Sequence, residues 1–169
     1  MSHEEHKQSA GTMSARCAII TLSDTRTVRT DHSGRLIQKL LTENGHAVVA
    51  DHLIPDEADQ LSRLVQSLLE RDDVEVIVTN GGTGISPRDR TIDTLQRLFD
   101  KPLPGFGELF RMLSYQQIGS AAMLSRAVAG IAANKPIFCL PGSTKAVELA
   151  MNSLILPELR HLLGELHKR

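Results

Sequence analysis

The chain has no tryptophan, one tyrosine and four phenylalanines, so aromatic residues make up only 3% of its 169 residues. So low an aromatic content argues against a protein that binds nucleic acid by stacking bases on its side chains. An excess of charge is lacking as well, since the formal net charge is −1. Nonspecific binding to nucleic acid needs a basic surface, and we therefore expect no nucleic acid partner.

Cysteine and long hydrophobic runs are also scarce. The two cysteines, Cys17 and Cys139, both lie in apolar runs, where we expect small buried side chains rather than a disulfide or a reactive thiol. With no metal-ligand spacing among the histidines, the sequence predicts no zinc site. The sequence contains no run of eighteen apolar residues, so we expect no transmembrane helix. The first ten residues are polar, so we expect no secretory signal there. We expect a cytoplasmic protein without a membrane partner.

Hydrophobic residues make up 41% of the chain, which is enough for one well-buried core at this length. Residues 1–14 are polar and show no periodicity. We therefore expect a flexible N-terminal tail over residues 1–14 and a single domain over residues 15–169.

Four apolar runs, at residues 17–22, 46–54, 74–78 and 136–140, have the composition of buried strands. Segments with helical periodicity lie between and after them, and Ser33 and Ser143 are expected as N-caps of two of these helices. The alternation predicts a three-layer α/β fold with a mostly parallel sheet and helices on both faces. The segment from residue 102 to 129 fits this alternation less well, and only a helix near residues 108–114 is predicted there.

A glycine-rich loop, Gly81-Gly82-Thr83-Gly84, follows the apolar run 74–78 and leads through Arg88-Asp89 into a helical pattern. Glycines directly after a buried strand allow a phosphate to reach backbone N–H groups, and the N-terminus of the next helix also favours an anion. Arg88 can pair bidentately with phosphate oxygens. Asp89 can accept hydrogen bonds or hold a divalent metal. The sequence predicts a phosphate site at this loop.

Ligands of parallel sheets bind beyond the carboxyl ends of the strands. Four segments follow predicted strands and should meet there: Ser23-Asp24, Pro55-Asp56, Gly81 to Asp89, and Pro141-Gly142-Ser143. They are rich in carboxylates, hydroxyls and small residues, which suits a site for phosphates with a divalent cation. Asp24, Asp56 and Asp89 are the candidate partners for the metal or for a proton.

Each of these residues also has a purely structural interpretation. Asp56 can be a helix N-terminal carboxylate, worth less than about 1 kcal/mol, and Asp24 can satisfy backbone groups of its own loop. Arg88 can form a surface pair with Asp89 or Asp93. The sequence contains neither a P-loop nor a dinucleotide-binding fingerprint. The functional hypothesis therefore depends on several segments converging rather than on any one residue.

The string from Gly81 to Gly84, followed by Arg88-Asp89 and Thr91, resembles the signature of the MoaB/MogA family of molybdenum cofactor biosynthesis proteins. The resemblance covers nearly all of residues 15–165. Further motifs occur in the same order, namely Ile54-Pro55-Asp56, Pro104-Gly105-Phe106-Gly107-Glu108, Ser125-Arg126-Ala127-Val128-Ala129-Gly130 and Leu140-Pro141-Gly142-Ser143-Thr144-Lys145. The run Arg111 to Tyr115 and the last of these motifs are closer to the MoaB branch than to MogA.

The resemblance implies a molybdopterin-binding fold and a nucleotidyltransferase that adenylylates molybdopterin with Mg-ATP, giving adenylyl-molybdopterin. It implies that Asp56 and Asp89 are catalytic and that Asp56 holds Mg²⁺. It also implies that the following residues bind the pterin, its phosphate or the nucleotide: Ser23, Asp24, Ser33, Gly81, Gly82, Thr83, Gly84, Arg88, Thr91, Pro141, Gly142, Ser143 and Lys145. A homotrimer, or a hexamer built from trimers, is implied as well.

The alternative is a protein of the same pathway without catalysis, either a molybdopterin-binding carrier or a scaffold for other cofactor-biosynthesis proteins. The chain departs from the family pattern at Asn80 and Asp93, where family members often have Thr and Glu. The MoaB branch includes members in which the Arg-Asp pair is altered. Arg88 and Asp89 are both present here, which favours the enzyme.

Overall fold

In a computed structural model of the protein, residues 13–168 are described. The elements are, in order, β1 (Arg16–Leu22), α1 (His32–Glu43), β2 (Ala47–Ile54), α2 (Ala58–Glu70), β3 (Val76–Asn80), α3 (Thr91–Gln96), β4 (Lys101–Pro102), α4 (Pro104–Ile118), a 3₁₀-helix (Gly119–Leu124), β5 (Val128–Ala132), β6 (Lys135–Leu140), α5 (Thr144–Ala150), a π-helix (Met151–Ile155) and α6 (Leu156–Leu166). Within residues 13–168, every helix is too short or too polar to cross a membrane.

Most of the predicted N-terminal tail, residues 1–12, lies outside the described residues, so its flexibility stays a prediction. Met13, the first described residue, contacts the folded core. The Met13 carbonyl accepts a hydrogen bond from Arg160 Nε at 2.9 Å, and the Met13 side chain packs against the core.

The six strands form one sheet in the order β2-β1-β3-β6-β5-β4. The strands β2, β1, β3 and β6 run parallel, whereas β5 pairs antiparallel with both of its neighbours, β6 and β4. The mostly parallel sheet predicted from the sequence is thereby confirmed. Because parallel strands end at a common edge, the segments that follow β1, β2, β3 and β6 all begin on the same side of the molecule.

Helices cover both faces of the sheet, which confirms the three-layer α/β fold. Successive residues of a strand point to opposite faces, so Cys17 and Ile19 of β1 face one layer while Ala18 and Ile20 face the other. The first layer contains α1, α4, α5 and α6, and the second contains α2 and α3. Both cysteines are buried free thiols, and burial raises the pKa of each to about 12, so they are inert core side chains as expected.

The predicted N-cap at Ser33 is wrong. Helix α1 begins at His32, and Asp31 caps it by accepting a hydrogen bond from the Gly34 N–H at 2.9 Å. Asp31 and Ser33 are both good capping residues, and the sequence alone does not decide which of them precedes the first turn. The Ser33 hydroxyl instead donates to the carbonyl of Gly142 at 2.7 Å, while the cap predicted at Ser143 is confirmed by its bond from the Ala146 N–H.

Three further segments differ from the sequence prediction. Strand β3 begins and ends two residues later than predicted, and its last residue is Asn80. Asn80 is polar but fully buried, and its side-chain amide donates a hydrogen bond to Thr21 Oγ1 at 2.9 Å. Helix α4 extends well beyond residues 108–114 on both sides, starting at Pro104, which is favourable in a first turn. Strand β5 was not predicted, because its five-residue apolar run contains Gly130 in its interior, and glycine is disfavoured in strands.

His46 is buried at the start of β2, and its protonation state affects stability. Its Nδ1 atom accepts a hydrogen bond from the Ala15 N–H at 3.0 Å, which requires a ring without a proton on that nitrogen. Burial lowers the pKa of His46, and the positive charge of Arg160 lowers it further. The unfolded chain therefore binds a proton more readily than the folded chain. The stability due to neutral His46 is complete above the unfolded pKa of about 6.5 and is lost as the pH falls from that value through the lower pKa of the folded state.

We predict that the free energy of unfolding falls between about pH 7.5 and pH 5.5, by at most about 1.4 kcal/mol per pH unit from this group. The variant His46→Asn should show a smaller fall, because the Asn oxygen accepts the Ala15 bond without titrating. Urea denaturation at several pH values measures both slopes, with His32→Asn at an exposed position as the control. Equal slopes for the wild type and His46→Asn would contradict the prediction.

Candidate functional site

The loops after β1, β2, β3 and β6 surround one cavity of about 680 Å³, as the parallel topology predicts. We refer to it as the main cavity. Predicted site residues that line it are Ser23, Asp24, Asp56, Gly81, Gly82, Thr83, Gly84, Asp89, Pro141, Gly142 and Ser143. The structure thus brings together residues from all four segments that the sequence singled out.

Two glycines at the end of β3 are required by close contacts. Gly81 has a φ of 98°, and a Cβ there would lie 2.2 Å from the carbonyl oxygen of Leu22. Gly82 has a φ of 66°, and a Cβ there would lie 2.1 Å from Thr91 Oγ1 and 3.2 Å from Asp56 Oδ1. Both φ values fall in the left-handed region that favours glycine. The loop therefore presents backbone rather than side chains to the cavity at these positions.

Asp56 has an unsatisfied carboxylate oxygen. Its Oδ1 is buried without a hydrogen-bond partner, and so is Thr91 Oγ1, which lies near the same side of Gly82. Burial raises the pKa of Asp56, and the nearby carboxylates of Asp24 and Asp89 raise it further. A buried carboxylate oxygen without a donor is costly, and a bound cation would remove that cost. Asp56 is therefore suited to hold a metal ion.

A divalent cation at Asp56 would need ligands from outside the protein. Among residues 13–168, no group of three Asp, Glu, His or Cys side chains is placed to hold a metal ion. Mg²⁺ commonly binds through one or two carboxylates, with substrate phosphates and water as its other ligands. The donor set around Asp56 fits Mg²⁺ in that mode rather than a cation enclosed by protein.

Arg88 forms an ion pair with Asp24, with 2.7 Å between Arg88 Nη2 and Asp24 Oδ2, and lies 3.8 Å from Glu57 Oε1. The structural alternative that paired it with Asp89 or Asp93 is wrong, because Asp93 pairs instead with Arg126 at 2.8 Å. The pKa of Asp24 is lowered first by the hydrogen bond from the Asp56 N–H and then by Arg88. Asp24 thus joins the loop after β1 to the loop after β2 and to Arg88.

Arg88 lines a second cavity of about 380 Å³ rather than the main one. The lining residues of this second cavity are Asp56, Glu57, Ala58, Asp59, Pro87, Arg88 and Arg90. Asp56 lines both cavities and so forms part of the boundary between them.

The carboxylate of Asp89 closes the glycine loop. Asp89 Oδ2 accepts a hydrogen bond from the Ser86 N–H at 2.9 Å, and a Cβ at Gly84 would lie 2.7 Å from the same oxygen. Asp89 lines the main cavity, and its other carboxylate oxygen, Oδ1, has no described hydrogen-bond partner. Asp89 therefore both shapes the loop and offers an acceptor to a ligand.

Four of the predicted binding residues lie outside the lining of the main cavity, as far as residues 13–168 define it. They are Ser33, which is buried beneath Gly142, Thr91, which is buried beneath Gly82, Arg88, and Lys145. Lys145 lines an adjacent cavity that it shares with Ser143. Ser33 and Thr91 thus support residues of the site without lining it.

Several lining residues were not found from the sequence. Arg26 follows Asp24 by two residues, and its place in that loop was the one available signal. A further part of the lining is formed by Phe110, Ser114, Ile118, Leu124 and Ser125. These residues belong to the segment 102–129, in which only a helix near residues 108–114 was predicted, and nothing in the sequence placed that segment near the strand ends.

We predict that Gly82→Ala lowers the free energy of unfolding by about 1–2 kcal/mol or more, because the new Cβ is strained at positive φ and contacts Thr91 and Asp56. Gly105→Ala, in the first turn of α4 with open space around it, should be neutral or stabilising by up to about 1 kcal/mol. Thermal or urea unfolding of the two variants measures the difference. Equal stabilities would show that the tight packing at Gly82 is not required.

Comparison with known proteins agrees with the fold and shows the family of the chain. The family described as a probable molybdopterin binding domain matches residues 18–161. Molybdenum cofactor biosynthesis protein B of Bacillus cereus is 51% identical over 170 residues, covering 100% of both chains. The protein of the same name from Bacillus subtilis is 50% identical over 169 residues, covering 99% of both chains.

Solved structures show the same relationship. A crystal structure of molybdenum cofactor biosynthesis protein B superposes with a TM-score of 0.91 at 50% identity, covering 94% of this chain and 99% of that one. The tungsten cofactor synthesizing protein MoaB of Pyrococcus furiosus superposes with a TM-score of 0.83 at 34% identity, covering 92% and 98%. The chain belongs to the molybdopterin-binding domain family of molybdenum cofactor biosynthesis proteins. Within it, the chain belongs to the MoaB branch.

Proposed function

We propose that the protein adenylylates molybdopterin with Mg-ATP during molybdenum cofactor biosynthesis. The observation that carries this proposal is the position of Asp56, a residue that lines both the main and the second cavity. An enzyme that joins two phosphate-bearing substrates needs a group at the place where the two phosphates meet. Asp56, with its unpartnered buried oxygen, is suited to that place.

The proposed reaction needs positioning and charge neutralisation more than covalent chemistry from the protein. An oxygen of the terminal phosphate of molybdopterin attacks the α-phosphorus of ATP. A new P–O bond forms, the bond to the β-phosphate bridging oxygen breaks, and pyrophosphate leaves with those electrons. The amides of Gly82 to Gly84, the Ser143 hydroxyl and the cations near the cavities are the groups that would orient the phosphates.

Mg²⁺ would be held by Asp56 together with phosphate oxygens and water. When bound, it supplies neutralisation of the negative charge that two phosphates bring together. Asp24 keeps Asp56 in place through the hydrogen bond from the Asp56 N–H at 3.0 Å. Asp89 keeps the glycine loop closed through the Ser86 N–H. The negative charges of Asp24, Asp56 and Asp89 repel an anionic nucleotide. We therefore expect binding of the nucleotide to depend on the cation.

We predict that the purified protein, given molybdopterin, ATP and Mg²⁺, forms adenylyl-molybdopterin and pyrophosphate. Asp56→Asn and Asp89→Asn should each lower turnover by about a hundredfold or more, if the carboxylates stabilise charge in the transition state. Asp72→Asn, at an exposed position between α2 and β3, is the matched control and should turn over at the wild-type rate. Chromatography of the pterin products and a pyrophosphate assay provide two independent measurements.

If the wild type binds molybdopterin tightly but does not turn over, the enzyme hypothesis is wrong and the hypothesis of a non-catalytic carrier takes its place. That carrier would bind the pterin equally well with and without ATP. It would also keep its affinity in the Asp56→Asn variant.

Assembly into a homotrimer or hexamer stays a prediction. Large apolar side chains are exposed along α4 and the 3₁₀-helix, namely Leu109, Met112, Tyr115, Ile118, Met123 and Leu124. Self-association would bury such side chains and is favoured for that reason. Light scattering of the purified protein gives its mass in solution, and a monomer over the micromolar range would contradict the prediction.

A further inference from the structure

Arg26 is the one cationic side chain among the described residues that line the main cavity. The lining also contains the carboxylates of Asp24, Asp56 and Asp89. An anionic ligand entering this cavity meets more negative than positive charge. The position of Arg26 therefore decides where in the main cavity a phosphate is tolerated.

The guanidinium of Arg26 is fixed by three acceptors from different parts of the chain. Its Nη2 donates to the Gly142 carbonyl at 2.5 Å, and its Nη1 donates to Asn80 Oδ1 at 3.4 Å. Its Nη1 also lies 3.5 Å from Asp31 Oδ1. Among the described contacts, these leave the Nε–H and one Nη2–H of the five N–H groups without an acceptor. The side chain is 28% exposed, so these groups are available to a ligand.

Arg26 stands at the beginning of the glycine loop. A Cβ on Gly142 would lie 3.4 Å from Arg26 Nη2 and 3.4 Å from the Cα of Gly81. Asp56 instead lies beside Gly82, one residue further along the loop. A phosphate bound at the amides of the loop would thus have Arg26 on one side and Asp56 on the other.

Arg88 is less suited to this task than the sequence indicated. Its guanidinium is engaged by Asp24 at 2.7 Å and by Glu57 at 3.8 Å, and it lines the second cavity. Arg26 is weakly paired by comparison, since its two side-chain oxygen contacts are 3.4 and 3.5 Å long. A guanidinium with free N–H groups matches the geometry of phosphate oxygens.

We propose that Arg26 binds the terminal phosphate of the pterin ligand in the main cavity, next to the first glycine of the loop. This proposal rests on the proposed function, because it assumes that molybdopterin is the ligand of this cavity. Asn80 is the positioning residue for Arg26. Its amide nitrogen is held by Thr21 at 2.9 Å, so its oxygen is directed to Arg26.

The test is a binding cycle in which both the arginine and the ligand phosphate are removed. The wild type, Arg26→Gln and Arg29→Gln are each titrated with molybdopterin and with dephosphorylated molybdopterin, followed by pterin fluorescence. Arg29 is an exposed residue of the same loop, so Arg29→Gln removes an equal charge away from the cavity. Thermal unfolding of each variant reports whether the fold is retained.

Arg26→Gln should weaken binding of molybdopterin by about tenfold to a hundredfold, the range of a charge-assisted hydrogen bond. It should change binding of the dephosphorylated pterin by less than about twofold, since the interacting group is then absent from the ligand. Arg29→Gln should behave like the wild type with both ligands. Arg26→Lys keeps the charge without the planar fork and should lose less affinity than Arg26→Gln.

An equal loss for both pterins, or an equal loss in Arg29→Gln, would overturn the role of Arg26 while leaving the proposed function intact. Failure of the wild type to bind either pterin would overturn the proposed function itself and this assignment with it. If Arg26→Gln does not fold, Arg26→Lys decides the question. A loss of affinity confined to the phosphorylated pterin supports the proposal, and an unchanged preference for it refutes the proposal.

Discussion

The close approach of Gly81 to the end of β1 is the contact on which the site depends. The Gly81 N–H donates to the Leu140 carbonyl of β6 at 3.0 Å, while its Cα faces the Leu22 carbonyl of β1 so closely that no side chain fits. Three parallel strands therefore end within one residue of one another. The loops that leave them start from a common point, and their polar residues meet without long excursions.

Once the strand ends are fixed, the loops bind one another. The Asp56 N–H donates to Asp24, which connects the loops after β1 and β2. Arg26 and Ser33 both donate to the Gly142 carbonyl, which connects the chain after β1 to the loop after β6. These bonds orient the site without a ligand, so a ligand loses less freedom on binding than it would in a set of mobile loops.

Charge divides the site into two regions. Around Asp56, carboxylates dominate, and the unpartnered oxygen of Asp56 is suited to a cation. Beside Gly81 and Gly142, the guanidinium of Arg26 favours an anion. In the proposed reaction, the pterin phosphate needs a cationic partner, whereas the metal of the nucleotide needs carboxylate ligands. The two regions lie close enough on one loop to serve both.

The sequence predicted the parts that depend on local pattern or on strand topology. The buried strands, the three layers and the convergence of Asp24, Asp56, Asp89 and Ser143 followed from apolar runs and from the rule for parallel strand ends. Ser33 was misassigned because two capping residues lie two positions apart. Arg26 was missed because its partners, Asn80 and Gly142, are 54 and 116 residues away in the chain. The unpartnered oxygen of Asp56 depends on how three loops pack, which no local pattern records.

The most direct test of this account is a crystal structure of the protein with molybdopterin and a non-hydrolysable Mg-ATP analogue. The account predicts the pterin phosphate at the amides of Gly82 to Gly84, with the α-phosphate of the analogue and the metal at Asp56. A pterin bound in another cavity, or a metal held without Asp56, would contradict it.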